Sequence, residues 1–329
     1  MKKVLFATTA LVATAGVAAA DVTFGGYGRF GVIYVEDAPN ETTITSRFRL
    51  QIDATAESDN GITFGARARI QQDNDGDSNG AQFGSDAAST SGSYRSDRIE
   101  SGINGVRFFA RSGGLEVGVG NIYGAIDSMP GMYPVELGLT GLSYDYILNQ
   151  AGGYSATYDS DGNGAAGRNG VEVLYAMGDL KAHLSYSELD DTTLSARGDF
   201  DGDLEGERIE GYLAYTFSGW TVALGLQDSD IAGDTELALT VGGNVGVADL
   251  TFGYADNGTN GDAFAITAAF DIGAATRLTA VVLDQESYTD TVYGVGVTHD
   301  LGGGTSLRGG VQNNRNGATV ADLGVRFNF

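Results

Sequence analysis

The sequence predicts an all-β protein, a transmembrane antiparallel β-barrel of about 16 strands. Three observations predict it. Apolar and polar residues alternate along segment after segment, short turns alternate with long polar loops, and aromatic residues collect near one end of the segments. The composition agrees, because 51 glycines and three prolines in 329 residues favour strands and turns over helices.

The chain opens with an export signal. Lys2 and Lys3 form a positive start, an apolar stretch diluted by threonine follows, and Ala18-Ala19-Ala20 has the small residues of a cleavage site. The apolar stretch is too short to anchor the chain in a membrane. We therefore expect residues 1–20 to be a signal peptide that is cleaved after Ala20, and residues 21–329 to form the barrel.

Charge and cysteine content exclude several classes of protein. The chain has no cysteine, so something other than disulfides must hold an exported protein together. Its formal net charge is −24, and losing Lys2 and Lys3 with the leader makes the mature chain more negative still. Such an acidic protein is a poor partner for nucleic acid, and it is not a polybasic membrane-surface binder.

Alternation with a period of two runs from the first segment to the last. Such a period means a strand with one apolar and one polar face. The second segment shows it best, with one face formed by Ile44, Phe48, Leu50, Ile52 and Ala54 and the other by Thr45, Arg47, Arg49, Gln51 and Asp53. We count about sixteen such segments, each near the ~9–11 residues of a tilted transmembrane strand. Their apolar faces are expected to meet lipid, and closure of the sheet removes edges that lipid cannot satisfy.

The connections between the segments alternate in length. Short ones include Asp59-Asn60-Gly61, Ser112-Gly113-Gly114 and Ser218-Gly219, whereas long polar loops span about 73–98 and 122–169. Short turns at one end and long loops at the other are typical of outer-membrane barrels. An even number of strands then places both termini at the short-turn, periplasmic end.

Aromatic residues cluster near the predicted periplasmic ends of the strands, on the apolar parity. They are Phe24, Phe64, Phe217, Trp220, Phe270, Phe327 and Phe329. Such a ring fits an aromatic girdle at a boundary between lipid and water. The alternative is that these residues belong to the core of a β-sandwich.

The C-terminal stretch from Val320 to Phe329 resembles the last strand of the general bacterial porins of Gram-negative bacteria, especially the alphaproteobacterial type. The segment Tyr293-Gly294-Val295-Gly296-Val297 and the following Asp300-Leu301-Gly302-Gly303-Gly304 resemble this family as well. The similarity is specific over roughly the last forty residues, and the opening strand at Thr23-Phe24-Gly25-Gly26 adds to it.

The resemblance implies a homotrimer of sixteen-stranded barrels in the cell outer membrane, each with a long third loop that folds into the lumen and narrows it. It implies general diffusion of small hydrophilic solutes and ions through a water-filled channel, in contact with outer-membrane lipid and lipopolysaccharide. It also implies that Phe329 is part of the signal read by the outer-membrane assembly machinery. A substrate-specific outer-membrane channel is the alternative.

Arginines are concentrated on the polar faces of the first strands, and several should reach the middle of the barrel. They are Arg29, Arg47, Arg49, Arg67, Arg69 and Arg107. The turn at residues 59–61 places Arg49 beside Arg69 or Gln71 on the next strand. Adjacent like charges need water and acidic partners, which the third loop offers as Asp127, Glu136 and Asp145. We therefore predict a pore constriction with a basic wall and loop acids. The alternative is that water in a wide channel merely solvates these charges.

Two other groups of polar residues suggest chemistry less strongly. Acidic residues spaced by two, at Asp73, Asp75 and Asp77 and at Asp159 and Asp161, fit weak structural Ca²⁺ sites, or else simply solvated loop charge. The two histidines, His183 and His299, lie in no recognisable nucleophile motif. We therefore expect no enzymatic activity and no cofactor beyond this Ca²⁺.

Overall fold

The computed structural model describes residues 20–74, 101–103, 106–148, 169–189, 206–229 and 234–329. Its strands are β1 Asp21–Val35, β2 Thr42–Glu57, β3 Thr63–Asn74, β4 Ser101–Ile103, β5 Arg107–Ser112, β6 Leu115–Asn121, β7 Asn169–Met177, β8 Leu180–Leu189, β9 Gly206–Phe217, β10 Trp220–Ser229, β11 Glu236–Val245, β12 Ala248–Asp256, β13 Asp262–Ile272, β14 Thr276–Gln285, β15 Val292–Gly302, β16 Thr305–Asn313 and β17 Thr319–Asn328. Among the described residues, short 3-10 helices lie at Leu142–Tyr144 and Gly258–Asn260. Within these ranges, no helix is both long and apolar enough to cross a membrane.

The strands form one closed antiparallel sheet. Consecutive strands pair along the chain, and β17 returns to pair with β1, so that Val35 lies opposite Val320 and Tyr27 opposite Asn328. Both β4 and β5 pair with β3 and occupy one position in the sheet, which gives sixteen positions. The predicted fold class, a barrel of about 16 strands, is confirmed. The register of β2 and β3 places Arg49 opposite Gln71, one of its two predicted neighbours.

The two ends of the barrel differ as the loop lengths predict. The two-residue turn at Ser218-Gly219 joins β9 to β10 and has positive φ at both residues (49° and 80°), which matches the twist of a tight hairpin. The start of β1 at Asp21 and the end of β17 at Asn328 both lie at this short-turn end. They are joined there by two backbone hydrogen bonds between Gly26 and Phe329, of 3.0 and 3.1 Å.

The outer face of the barrel is apolar and exposed along its whole circumference. Phe252, Phe264, Ile266 and Val282 are examples from the middle of β12, β13 and β14. The phenylalanines of the predicted aromatic girdle are likewise exposed on this face, and Trp220 is half-buried. An exposed apolar belt of this extent is what a lipid-facing wall requires.

The inner face differs from the prediction over part of its circumference. On β9 to β15 many inward residues are small or apolar and buried, and they lie among buried polar residues such as Glu210, Thr240 and Thr279. The small or apolar ones are Ala214, Ala223, Ala238, Ala255, Ala263, Ala265, Val281, Leu283 and Val292. They pack against apolar side chains of residues 122–148, including Ile126, Met129, Leu137, Leu142 and Leu148. The third loop therefore lies inside the barrel on a hydrophobic core of its own, and the inner face of these strands is less polar there than the sequence predicted.

Candidate functional site in the barrel lumen

A basic wall lines the side of the lumen formed by β17, β1, β2 and β3. Arg29 of β1 lies directly opposite Arg326 of β17 and Arg47 of β2, so three arginines share one level across the closure of the barrel. Arg49 stands one inward position below Arg47, and Arg67 and Arg69 follow on β3. Like charges at such spacing repel, so this wall must contain groups that offset the repulsion.

Neighbouring side chains hold the guanidinium groups of this wall. Arg67 forms an ion pair with Asp53 at 2.7 Å. Arg49 donates to the side-chain oxygen of Gln71, and Arg69 donates to Gln51 at 3.1 Å and to the hydroxyl of Tyr123 in the third loop. All four arginines of β2 and β3 remain partly exposed to the lumen. The sequence predicted these four positions, and their inward placement agrees with it.

Two further predicted arginines are buried rather than open to the lumen. Arg29 donates to the carbonyl oxygen of Leu139 in the third loop at 3.2 Å. Arg107 forms ion pairs with Glu172 and, at 2.5 Å, with Glu116. Arg29 thus supports the docked loop, and Arg107 belongs to a charged network within the wall.

One buried carboxylate holds the tip of the third loop against the wall. Asp322 of β17, which is only 6 % exposed, accepts hydrogen bonds from the backbone of Leu139 (2.9 Å) and from the backbone and hydroxyl of Thr140 (both 2.7 Å). Gly138 makes this approach possible, because a Cβ there would lie 2.3 Å from Asp322 Oδ1. The loop backbone forms a concave site for the carboxylate, similar to the nests that bind anions in other proteins.

Glycines of the wall also bring the loop backbone close. A Cβ at Gly310 of β16 would lie 2.9 Å from the Cα of Gly138, and one at Gly296 of β15 would lie 3.0 Å from its nitrogen. Gln312 adds a hydrogen bond of 2.9 Å to the carbonyl oxygen of Leu142. The loop tip therefore rests directly on the sheet at β15 to β17.

Of the predicted loop acids, Glu136 is the one that meets the basic wall. Its carboxylate binds Arg326 at 2.6 Å and also binds Arg308 of β16. Burial alone would raise the pKa of Glu136, but the two arginines outweigh that effect and hold the pKa below its usual value. Glu136 therefore carries its charge at neutral pH and extends the charged region across β16 and β17.

The other two predicted loop acids are placed differently. Asp127 accepts a hydrogen bond from Tyr133 within the loop and borders a small cavity with Arg208 and Glu210 on the far wall. Asp145 is 5 % exposed, and its carboxylate lies 3.6 Å from the guanidinium of Arg315, a residue of the connection between β16 and β17. Burial raises the pKa of Asp145 to about 6, although Arg315 acts in the opposite direction.

A buried chain of hydrogen bonds anchors the first part of the loop. His183 of β8 lies 2.9 Å from Glu172 and 2.7 Å from the hydroxyl of Ser128. The arrangement Ser128–His183–Glu172 resembles a catalytic triad. However, the Ser128 hydroxyl also lies 3.1 Å from two loop carbonyl oxygens to which it can donate, and Glu172 also pairs with Arg107. Beside these contacts, the backbone N–H of Ala125 donates to the Ser185 hydroxyl, and that of Ile126 donates to the Glu210 carboxylate. We interpret these contacts as a loop anchor.

The predicted Ca²⁺ ligands fall outside what the structure describes. Asp75, Asp77, Asp159 and Asp161 are not among the described residues, and only the backbone of Asp73 is, near the end of β3. In the described part of the chain, no group of three or more His, Cys, Asp or Glu side chains is arranged to hold a metal ion. These Ca²⁺ sites stay a prediction.

Sequence reasoning missed several residues of the site. Arg308, Arg326 and Asp322 lie on strands at the far end of the chain from the first arginines, and the basic wall was predicted on the first strands alone although the last strand pairs with the first. The alanines and glycines on the inner parity of β9 to β16 were the available signal. Small inward residues on consecutive strands indicate that something packs on them.

Comparisons with known proteins agree with this architecture. The sequence profile described as Gram-negative porin matches residues 7–319. A porin of Fuscovulum blasticum is 33 % identical over 319 residues, and a porin of Rhodobacter capsulatus is 27 % identical over 347 residues. In each case 94 % of this chain and 100 % of the relative are covered. A solved structure of a mutant of Rh. blastica porin is 29 % identical, with a TM-score of 0.76 over 94 % of this chain and 100 % of that one.

Proposed function

Because this chain belongs to the Gram-negative porin family, we propose that the basic wall and the docked third loop form the constriction of its general diffusion channel. The channel is water-filled, lies in the outer membrane and passes small hydrophilic solutes. The observation that carries the proposal is the register of Arg326, Arg29 and Arg47 across the closure of the barrel, on a wall that the loop contacts through Glu136.

Charges fixed on a narrow passage act on whatever crosses it. The guanidinium groups of Arg47, Arg49, Arg67 and Arg69 remain partly exposed to the lumen, whereas the loop covers the opposite wall with a packed apolar core. A passage that is charged on one side orders water and favours polar over apolar solutes. The net charge of −24 should enrich cations at the channel mouths, so we expect a mild cation preference that salt weakens.

The proposal extends to assembly and location. Residues 1–20 direct export and are removed after Ala20, and the mature chain forms a homotrimer among outer-membrane lipid and lipopolysaccharide. Phe329 takes part in recognition by the assembly machinery. This role is supported by the exposure of the Phe329 ring, which stacks on Phe48 with the ring centroids 5.6 Å apart. Nucleic acid is not a partner, and the channel needs no cofactor and no catalytic residue.

The test is single-channel recording in planar bilayers with polymer-exclusion sizing. Replacing Arg47, Arg49, Arg67 and Arg69 together by glutamine should raise the cation selectivity and widen the passage. Arg277→Gln is the control, because that arginine pairs with Asp249 and Asp271 near the short-turn end. An unchanged reversal potential and conductance in the quadruple variant would refute the constriction. Conductance that saturates with one solute class would instead indicate a substrate-specific channel.

A further inference from the structure

We propose that Tyr27 is a positioning residue that sets the ion selectivity of the channel by holding arginines from both sides of the barrel closure. The inference rests on the proposed function, since it assumes that ions pass the basic wall. Tyr27 lies on β1 and faces inward on the same parity as Arg29, directly opposite Arg49 of β2.

Three arginines meet at the Tyr27 side chain. The guanidinium carbon of Arg326 lies 4.2 Å from the ring centroid, and that of Arg49 lies 5.6 Å from it. Arg47 adds a long hydrogen bond of 3.5 Å to the Tyr27 hydroxyl. One neutral side chain thus contacts guanidinium groups from β17 and β2, which flank β1 on its two sides.

The ring offsets repulsion that would otherwise separate these groups. The face of an aromatic ring is electronegative and attracts a guanidinium within about 6 Å of its centroid. Arg49 and Arg326 can therefore both lie against the Tyr27 ring although both are positive. Without the ring, we expect each guanidinium to turn toward a carboxylate, as Arg326 already does toward Glu136.

The same contact connects the wall to the third loop. Arg326 bridges the Tyr27 ring and the Glu136 carboxylate, which lies 2.6 Å from its Nη1. Its side chain is 19 % exposed, so its position is set by these partners more than by water. A change at Tyr27 should therefore alter where positive charge faces the lumen while Asp322 keeps the loop tip docked.

A substitution at Tyr27 can change the position of the arginine charges without changing their number. Tyr27→Leu replaces one neutral side chain by another, so the formal charge of the lumen stays the same. We expect the cation-to-anion permeability ratio to rise about twofold or more, because the arginines lose the ring that holds them toward the lumen. Tyr27→Phe keeps the ring and loses only the hydroxyl contact with Arg47, so it should retain a ratio close to that of the unmodified protein.

The measurement is the reversal potential of purified full-length variants in planar bilayers under a salt gradient, alongside single-channel conductance. Tyr212→Leu is a matched control, because Tyr212 of β9 also faces inward but lies edge-on to His183, with centroids 5.9 Å apart. Heat-modified electrophoresis checks that each variant forms an intact barrel.

The outcomes distinguish this inference from the proposed function. A shifted reversal potential in Tyr27→Leu, with Tyr27→Phe and Tyr212→Leu unchanged, supports the positioning role. Intact channels whose reversal potential is the same in all three variants overturn it, even if the conductance of Tyr27→Leu rises through added width. If the unmodified protein forms no channels at all, the proposed function itself fails.

Discussion

Removing the Asp322 carboxylate should release the tip of the third loop. In Asp322→Ala, the buried N–H groups of Leu139 and Thr140 and the Thr140 hydroxyl lose their acceptor. Hydrogen bonds to a charged group contribute about 1.5–3 kcal/mol each, and donors left unpaired are costly. These bonds share one carboxylate and are not additive, so we expect docking of the tip to weaken by about 3–5 kcal/mol. At about 1.4 kcal/mol per tenfold, the undocked population would rise by about two to three and a half orders of magnitude.

Single-channel recording measures this release directly. A loop that leaves the wall should add closures and extra current levels to an otherwise steady open channel. Asp322→Asn, which keeps the shape and one acceptor, should lie between Asp322→Ala and the unmodified protein. Asp300→Asn serves as the control, because the Asp300 carboxylate accepts a hydrogen bond from the backbone of Gly302 in a short turn, away from the third loop. Assembled Asp322→Ala channels with wild-type conductance and open-channel noise would refute the reasoning.

Three further predictions test other parts of the molecule. Phe252→Arg places a charge on the lipid face at the middle of β12 and should destabilise the barrel by about 2–4 kcal/mol. The same substitution at the neighbouring inward residue, Thr251→Arg, should be tolerated, and equal effects of the two in denaturant titrations would contradict the assignment of faces. Asp145 has its pKa raised to about 6 by burial, so the folded protein keeps a proton that the unfolded chain releases, and this contribution to stability falls as pH rises from about 4 to 6. Asp145→Asn should therefore gain thermal stability relative to the unmodified protein above pH 6 and show little difference near pH 4, as measured by circular dichroism in micelles; a difference that is constant with pH would argue against it. Deleting Phe329 should lower outer-membrane insertion but not export to the periplasm, and normal yields of inserted barrel would end the proposed assembly role.

The features that depend on local alternation could be predicted from the sequence. Period-two patterns showed which residues of β2 and β3 face inward, and the turn at residues 59–61 set their register. Arg49 accordingly lies opposite Gln71. The positions of Arg47, Arg49, Arg67 and Arg69 on one wall follow from the same rule, because a strand has only two faces.

The features that depend on the path of the third loop could not be predicted. Glu136 binds Arg308 and Arg326, and Asp145 lies beside Arg315, through contacts between residues more than a hundred positions apart. No periodicity encodes such contacts, since they depend on how an irregular segment folds back on the sheet. The acids of the loop were therefore identified as residue types, but their individual partners were not.

The small residues of the barrel wall on which the third loop packs control the width of the passage indirectly. Ala255 and Ala263 are fully buried, and a Cβ at Gly253 would lie 2.0 Å from Leu148. Each methyl group added at such positions would push the loop toward the basic wall, because the side chains packed between the loop and the sheet leave no space for it. The aperture can thus be retuned by substitutions that no solute ever touches, while the charged residues that the solute does meet stay the same.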